Sequence, residues 1–187
     1  TALGVASNIL VAKLIGPNMF GEASLIIAIP SIFDSIFNIK SPDIVVRYLA
    51  NFKHEVKNTE FQSTCKLGYA IDIIGAILVL AFTLASAFLM QETFGIREHK
   101  LTLFIYSFSI VFLSLRKTSR AVLTTYENFQ SIAYLTFLGK LISFLIIFTL
   151  LSIGFKIDGY IIGLSVGNMT IGLMAFYLAN KQLYKLG

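Results

Sequence analysis

The sequence predicts an all-α, polytopic membrane helix bundle. Three observations lead there. Hydrophobic residues make up 56% of the chain and charged residues only 13%, where a soluble domain carries about 25% charged residues. Mean hydropathy is +0.80; a water-soluble fold of this size has no means of covering so much apolar surface. Apolar stretches near the ~20 residues needed to cross a bilayer core recur along the chain, and no ten-residue block alternates as a membrane β-strand would.

Taken in order, the stretches predict six transmembrane helices. The first covers 3–15 and is short. The chain of 187 residues opens at Thr1 with no polar lead-in, so the first helix is read as truncated and the chain as a fragment. The opening has no basic n-region and no small-residue cleavage pattern, which excludes a signal peptide. Gly16-Pro17 then stops the helix, because proline lacks a backbone donor and glycine turns cheaply. The second helix is predicted over 23–46, the third over 67–90, the fourth over 101–123, the fifth over 131–153 and the sixth over 158–180. Residues 1–187 thus form one six-helix lobe.

Charge sets the expected orientation. The junctions after the second, fourth and sixth helices carry Arg47, Lys53, Lys57, Lys66, Arg116, Lys117, Arg120, Lys181 and Lys185, whereas the others carry Arg97, Lys100 and Lys156. The positive-inside rule places the richer set in the cytoplasm, and with an even number of spans both chain ends lie there. Most of the eight tyrosines fall near predicted helix ends, where amphipathic rings prefer to sit. Cys65, the single cysteine, is expected on the cytoplasmic side.

Charges inside the spans point to function, since each costs about 2.5–3.5 kcal/mol at a helix centre unless it faces a cavity or a partner. In the second span Ser31, Asp34, Ser35 and Asn38 share one stripe, with Asp34 near mid-helix, while Lys40, Asp43 and Arg47 form another. Pro30 and Pro42 can kink the helix and change how the two stripes relate. Asp43 either pairs internally with Lys40 or Arg47 or lines a cavity, and Arg47 can also snorkel to the interface. Lys140 shares a face of the fifth span with Thr136, Gly139 and Ser143 and lies about 13 Å in from Ser131. Asp72, about one turn into the third span, either pairs with a cytoplasmic lysine or serves ion coupling. Lys13 lines the outer mouth of a cavity or snorkels. Gly159, Gly163 and Gly167 have the small-xxx-small spacing of close helix packing; Ser165 and Asn168 beside them then need partners on a neighbouring helix. Phe104, Phe108 and Phe112 are read as lipid-facing or packing residues. His54 and His99 stand apart, with no His or Cys nearby, so neither a metal nor a cofactor is expected.

Leu14-Ile15-Gly16-Pro17-Asn18-Met19-Phe20-Gly21 resembles the LGP-x-x-(F/Y)-G hairpin of bacterial polysaccharide flippases, the O-antigen and teichuronic-type exporters of the multidrug/oligosaccharidyl-lipid/polysaccharide superfamily. Arg47-Tyr48-Leu49-Ala50 is similar to the basic-aromatic-small end of that family's second helix, and Glu127-Asn128-Phe129 to its loop between helices four and five. Lys40-Ser41-Pro42-Asp43 departs from the family, where a small, glycine-containing stretch is common. The resemblance implies the amino-terminal lobe of a two-lobed transporter in the cytoplasmic (inner) membrane. It implies an undecaprenyl-diphosphate-linked oligosaccharide as substrate and alternating access of one lobe against a second, six-helix lobe. Lys13, Lys40, Arg47 and Lys140 are then the cations expected to meet the diphosphate, since Lys and Arg are strong phosphate partners. Asp34, Asp43 and Asp72 are the carboxylates for ion coupling or ion pairing. Membrane lipids are partners and nucleic acid is not.

Two other readings share parts of this pattern. A cation-coupled multidrug antiporter of the same superfamily has the same fold and often depends on a carboxylate in its first helix; none occurs over 1–15. An integral membrane enzyme of lipid or glycan processing needs carboxylates or a metal site in a sizeable loop. The longest predicted loop, 47–66, has only Glu55 and Glu60, and no phosphate cradle or nucleophile elbow is present.

Overall fold

The computed structural model describes residues 2–37, 42–89 and 99–184, and they are helical almost throughout, with no strand among them. The helices are α1 (Ala2–Ile15), α2 (Pro17–Phe37), α3 (Pro42–His54), α4 (Asn58–Leu89), α5 (Lys100–Thr125), α6 (Phe129–Ile153) and α7 (Lys156–Leu183). Five of them, α2, α4, α5, α6 and α7, are long and apolar enough to cross a membrane. By length and composition the chain is a multi-pass membrane protein.

The last three helices keep the boundaries expected of them to within a few residues, and local chemistry explains why. Asn128 accepts a hydrogen bond from the backbone N–H of Ser131 at 3.3 Å and so caps α6. Gly154, at φ +100°, ends α6 in the left-handed conformation. Asp158 places an acid in the first turn of α7, where the helix dipole favours it.

The first half of the chain departs from expectation. The hairpin is shorter than its composition implies: only Gly16, at φ +83°, breaks the helix. Pro17 opens α2 because a first-turn residue needs no N–H donor, and its fixed φ already suits a helix. The second span therefore begins at Pro17 rather than residue 23 and is described to Phe37 rather than 46. Asp34 lies one turn before the end of that described stretch. The expected tail of this span belongs to α3, a separate amphipathic helix. Val45 and Leu49 are buried on its inner face, while Ile44, Arg47 and Tyr48 are exposed. The supposed loop over 47–66 is reduced to Glu55–Lys57 between two helices, closed by Lys57 N–H donating to Phe52 O at 2.9 Å. The longer α4, 32 residues, extends about 48 Å, well beyond a ~30 Å hydrocarbon core.

Two helix pairs hold the bundle together. α7 packs on α5 and on α6, α4 lies on the other flank of α5, and α3 crosses α4 and α5 at one end. α2 rests mainly on α4, and α1 touches α2, α6 and α7. The glycines of α7 are placed as the small-xxx-small spacing requires. A Cβ on Gly163 would sit 2.9 Å from the Ile147 backbone nitrogen, and one on Gly167 would sit 2.7 Å from Ser143 Cβ. A Cβ on Gly172 would collide with the Phe112 carbonyl of α5. The glycines thus set both interfaces of α7. Cys65 is buried against α3 and α7 residues, so its thiol is a poor topology probe.

The glycine contacts generate a stability prediction. Gly163→Val and Gly172→Val should each lower stability by about 1–3 kcal/mol, the usual cost of overpacking. Gly21→Ala, where nothing lies within 4 Å, should be neutral or slightly stabilising. Thermal unfolding of the three variants in detergent checks this; equal midpoints would show that the glycines do not set the helix spacing.

Candidate functional site

The site grows out of one ridge of α5. Phe104, Phe108, Phe112, Arg116 and Arg120 recur every fourth residue and so line one strip of the helix. The first half is aromatic: Phe104 stacks on Phe108 at 6.2 Å between centroids, and Phe108 meets Phe112 edge-on at 5.3 Å. The second half is cationic. Arg116 is nine residues before Thr125, about 14 Å inside the helix. Its Nη2 donates to Thr136 Oγ1 of α6 at 3.3 Å.

Cavities flank both sides of the cationic half. One of about 490 Å³ is lined by Val46 of α3 and by Leu113, Arg116, Lys117, Arg120 and Thr124 of α5. The other, about 430 Å³, lies toward α6 and is lined by Arg116, Arg120, Ile132, Thr136, Phe137 and Lys140. Arg116 and Arg120 belong to both walls. Among the described residues, Arg116, Arg120 and Lys140 have no carboxylate within ion-pair distance.

Lys117 turns the other way, toward α2. Its Nζ donates to Asp34 Oδ1 at 2.8 Å, with the two side chains 24% and 34% exposed. Asp72 lies on the α4 side of α5 and is 6% exposed. It accepts from both the backbone N–H and the hydroxyl of Thr118. Such charge-assisted bonds, worth about 1.5–3 kcal/mol each, tie α4 to α5. Asp72 is thus held from α5 by Thr118.

The expected site residues separate into those the fold brings together and those it does not. Lys140 joins the cluster and Asp34 is bound to it through Lys117. Lys13 is exposed at the end of α1 that leads into α2, whereas the cationic ridge lies toward the opposite end of the bundle. Arg47 is exposed on α3, next to Val46 but off the cavity wall. Lys40 and Asn38 lie outside the described residues, as does the side chain of Asp43. Ser31 and Ser35 donate to carbonyls of their own helix. Ser165 does the same, to Ile161 O, while Asn168 lies within hydrogen-bonding reach of the Tyr106 phenol on α5.

Sequence reasoning missed Arg116, Lys117 and Arg120 as site residues, because a basic helix end also reads as a cytoplasmic flank. The four-residue recurrence that continues from Phe112 into Arg116 and Arg120 was the available signal. It also missed two clasps at the ends of α5. At the start, His99 Nδ1 is 3.1 Å from Asp158 Oδ1 and its Nε2 is 4.0 Å from Glu22 Oε2, and Thr102 donates to the same Asp158 oxygen. At the finish, Lys53 Nζ donates to Thr125 O at 3.0 Å and sits 4.6 Å from the centre of the Tyr126 ring, a cation on the negative end of the helix. Burial pushes the Tyr126 phenol up from its ordinary pKa. No group of three or more His, Cys, Asp or Glu among the described residues is placed to hold a metal ion.

No family model, curated protein or solved structure matches the chain.

The Asp34–Lys117 pair is testable by a double-mutant cycle. Asp34→Asn should destabilise most, since it removes the carboxylate bound to a patch of three neighbouring cations. Lys117→Gln should cost less, and the double variant should recover part of the loss, with a coupling of about 0.5–3 kcal/mol. Unfolding of the four proteins in detergent supplies the numbers; simple additivity would mean that the pair contributes no stability.

Proposed function

We propose that the chain is a lobe of a membrane transporter for an anionic, lipid-linked substrate. In this reading α1 counts as a sixth span beside the five long helices. The particular transporter is a flippase that moves an undecaprenyl-diphosphate-linked oligosaccharide across the cytoplasmic membrane by alternating access against a second lobe. The end of the bundle bearing Lys53, Lys66, Arg120 and Lys181 faces the cytoplasm.

One observation carries the reading: Arg116, Arg120 and Lys140 converge on adjoining cavities, with no carboxylate among the described residues to balance them. A cation held in a low-dielectric setting without a counter-charge is costly on its own and becomes favourable when an anion arrives. A diphosphate supplies that charge, and a guanidinium can bind it through two parallel hydrogen bonds. Asp34 takes part as the group that a phosphate displaces from Lys117. The exchange loosens α2, which touches α5 at few points, and gives the lobe a way to sense its load. A drug antiporter for cations gains nothing from this wall, since like charge repels its substrate.

Transport is tested in cells that lack the protein and carry it back on a plasmid, by following lipid-linked oligosaccharide on each face of the membrane. Loss should build up substrate on the inner leaflet, and the wild type should clear it. Arg116→Gln/Arg120→Gln should lower export at least tenfold while the protein stays in the membrane, and Lys13→Gln should export normally. Export by the arginine double variant at the wild-type rate would remove the cavity cations from the mechanism. Sensitivity to cationic dyes without lipid accumulation would favour the antiporter.

Orientation has its own test. In a Cys65→Ala background, Lys66→Cys on the exposed face of α4 should react with an impermeant maleimide only after the membrane is opened. Labelling in intact cells would invert the topology.

A further inference from the structure

A third cavity adjoins the cationic pair and differs from it in chemistry. Its volume is about 390 Å³, and it lies between α1 and α6, lined by Ser7, Asn8, Lys140, Ser143 and Leu164. Lys140 belongs both to this cavity and to the one shared with Arg116 and Arg120. The row therefore continues along α6 from Thr136 through Lys140 to Ser143, a distance of about 11 Å.

The hydroxyls of this third cavity are unusual. Ser7 is 8% exposed and Ser143 is 5% exposed, yet neither makes a hydrogen bond among the described residues. Elsewhere in the bundle, buried serines such as Ser107, Ser119 and Ser165 donate to a carbonyl one turn back in their own helix. Asn8 uses its side-chain oxygen to accept from Tyr160 OH at 3.1 Å, which leaves its amide N–H donors for a ligand. Both side chains line the cavity, so their hydroxyls face its interior and are free to bond a ligand there, each such bond contributing about 0.5–1.5 kcal/mol. An apolar ligand supplies none. A metal cation is repelled by Lys140. A ligand rich in hydroxyls, with an anionic group at one end, satisfies the whole wall.

We propose that the cavity of Ser7, Asn8 and Ser143 is a sugar subsite. It takes the first glycosyl unit of a glycan whose diphosphate rests on Arg116, Arg120 and Lys140. The assignment builds on the flippase reading and adds to it a site that distinguishes a glycosylated carrier from a bare one. Lys140 stands at the junction, where it can serve the phosphate and the sugar together.

The test compares two probes, undecaprenyl diphosphate and undecaprenyl diphosphate bearing one hexose, bound to the purified full-length protein in nanodiscs. The Ser7→Ala/Ser143→Ala variant should keep its thermal midpoint, because it removes hydroxyls that have no hydrogen-bond partner among the described residues. Its affinity for the hexose-bearing lipid should fall about tenfold, as expected for two lost hydrogen bonds, with less than a twofold change for the bare lipid. Lys140→Gln should weaken both. An unchanged preference between the two lipids in the serine double variant overturns the sugar subsite while leaving the flippase reading in place. Failure of the wild-type protein to bind either lipid removes both.

Discussion

A guanidinium about 14 Å inside a membrane helix, without a carboxylate beside it among the described residues, is the constraint around which this bundle is built. Arg116 cannot be packed among apolar side chains, because desolvating an unpaired charge costs far more than one helix contact returns. It stays half-buried, opens onto two cavities and donates to Thr136. Lys140, also half-buried, likewise opens onto two cavities, and Arg120 is exposed beside them. The cavities are therefore not packing defects. They are what keeps a cationic wall compatible with a folded membrane helix.

The cationic flank is tolerable because α5 is anchored elsewhere. On its α4 side, Thr118 donates twice to Asp72, and Tyr69 and Ser119 share a hydrogen bond of 2.9 Å. On its α7 side, Gly172 lets the two backbones approach closely. His99 and Lys53 clasp its two ends. These contacts make α5 the fixed wall and leave α2 as the element with the weaker hold. Among the described residues, the Asp34–Lys117 ion pair joins α2 to α5, and Glu22 approaches His99 at the start of α5. The helix that carries the Asp34 counter-charge is thus held chiefly by apolar packing, with Ala23 and Ile26 in the core.

Much of this was legible from residues alone, and the reasons for success and failure are physical. Helices α5, α6 and α7 were placed well because their limits are local: Asn128 caps, Gly154 turns, and hydropathy runs unbroken between them. The α2–α3 region was misread because a single apolar run hides a change of role. Periodicity does not report whether residues 42–54 continue a span or lie across its end. Lys140 was recognised as a site residue because a lone lysine deep in an apolar helix has no bland explanation. Arg116, Lys117 and Arg120 did have one, a basic helix end, and only the packing of α3 and α6 beside α5 showed the cavities they line.

Composition, hydropathy and glycine spacing by themselves determined an all-helical membrane bundle, most of its span limits and the close face of α7, since these depend on transfer from water and on short-range sterics. Tertiary structure decided which charges meet. Asp34 pairs with Lys117, 83 residues away, Asp72 with Thr118, and Lys140 shares a cavity with Arg116 and Arg120. Such pairings depend on how far each helix is rotated and slid against its neighbours. A sequence read one segment at a time contains the charges but not those rotations.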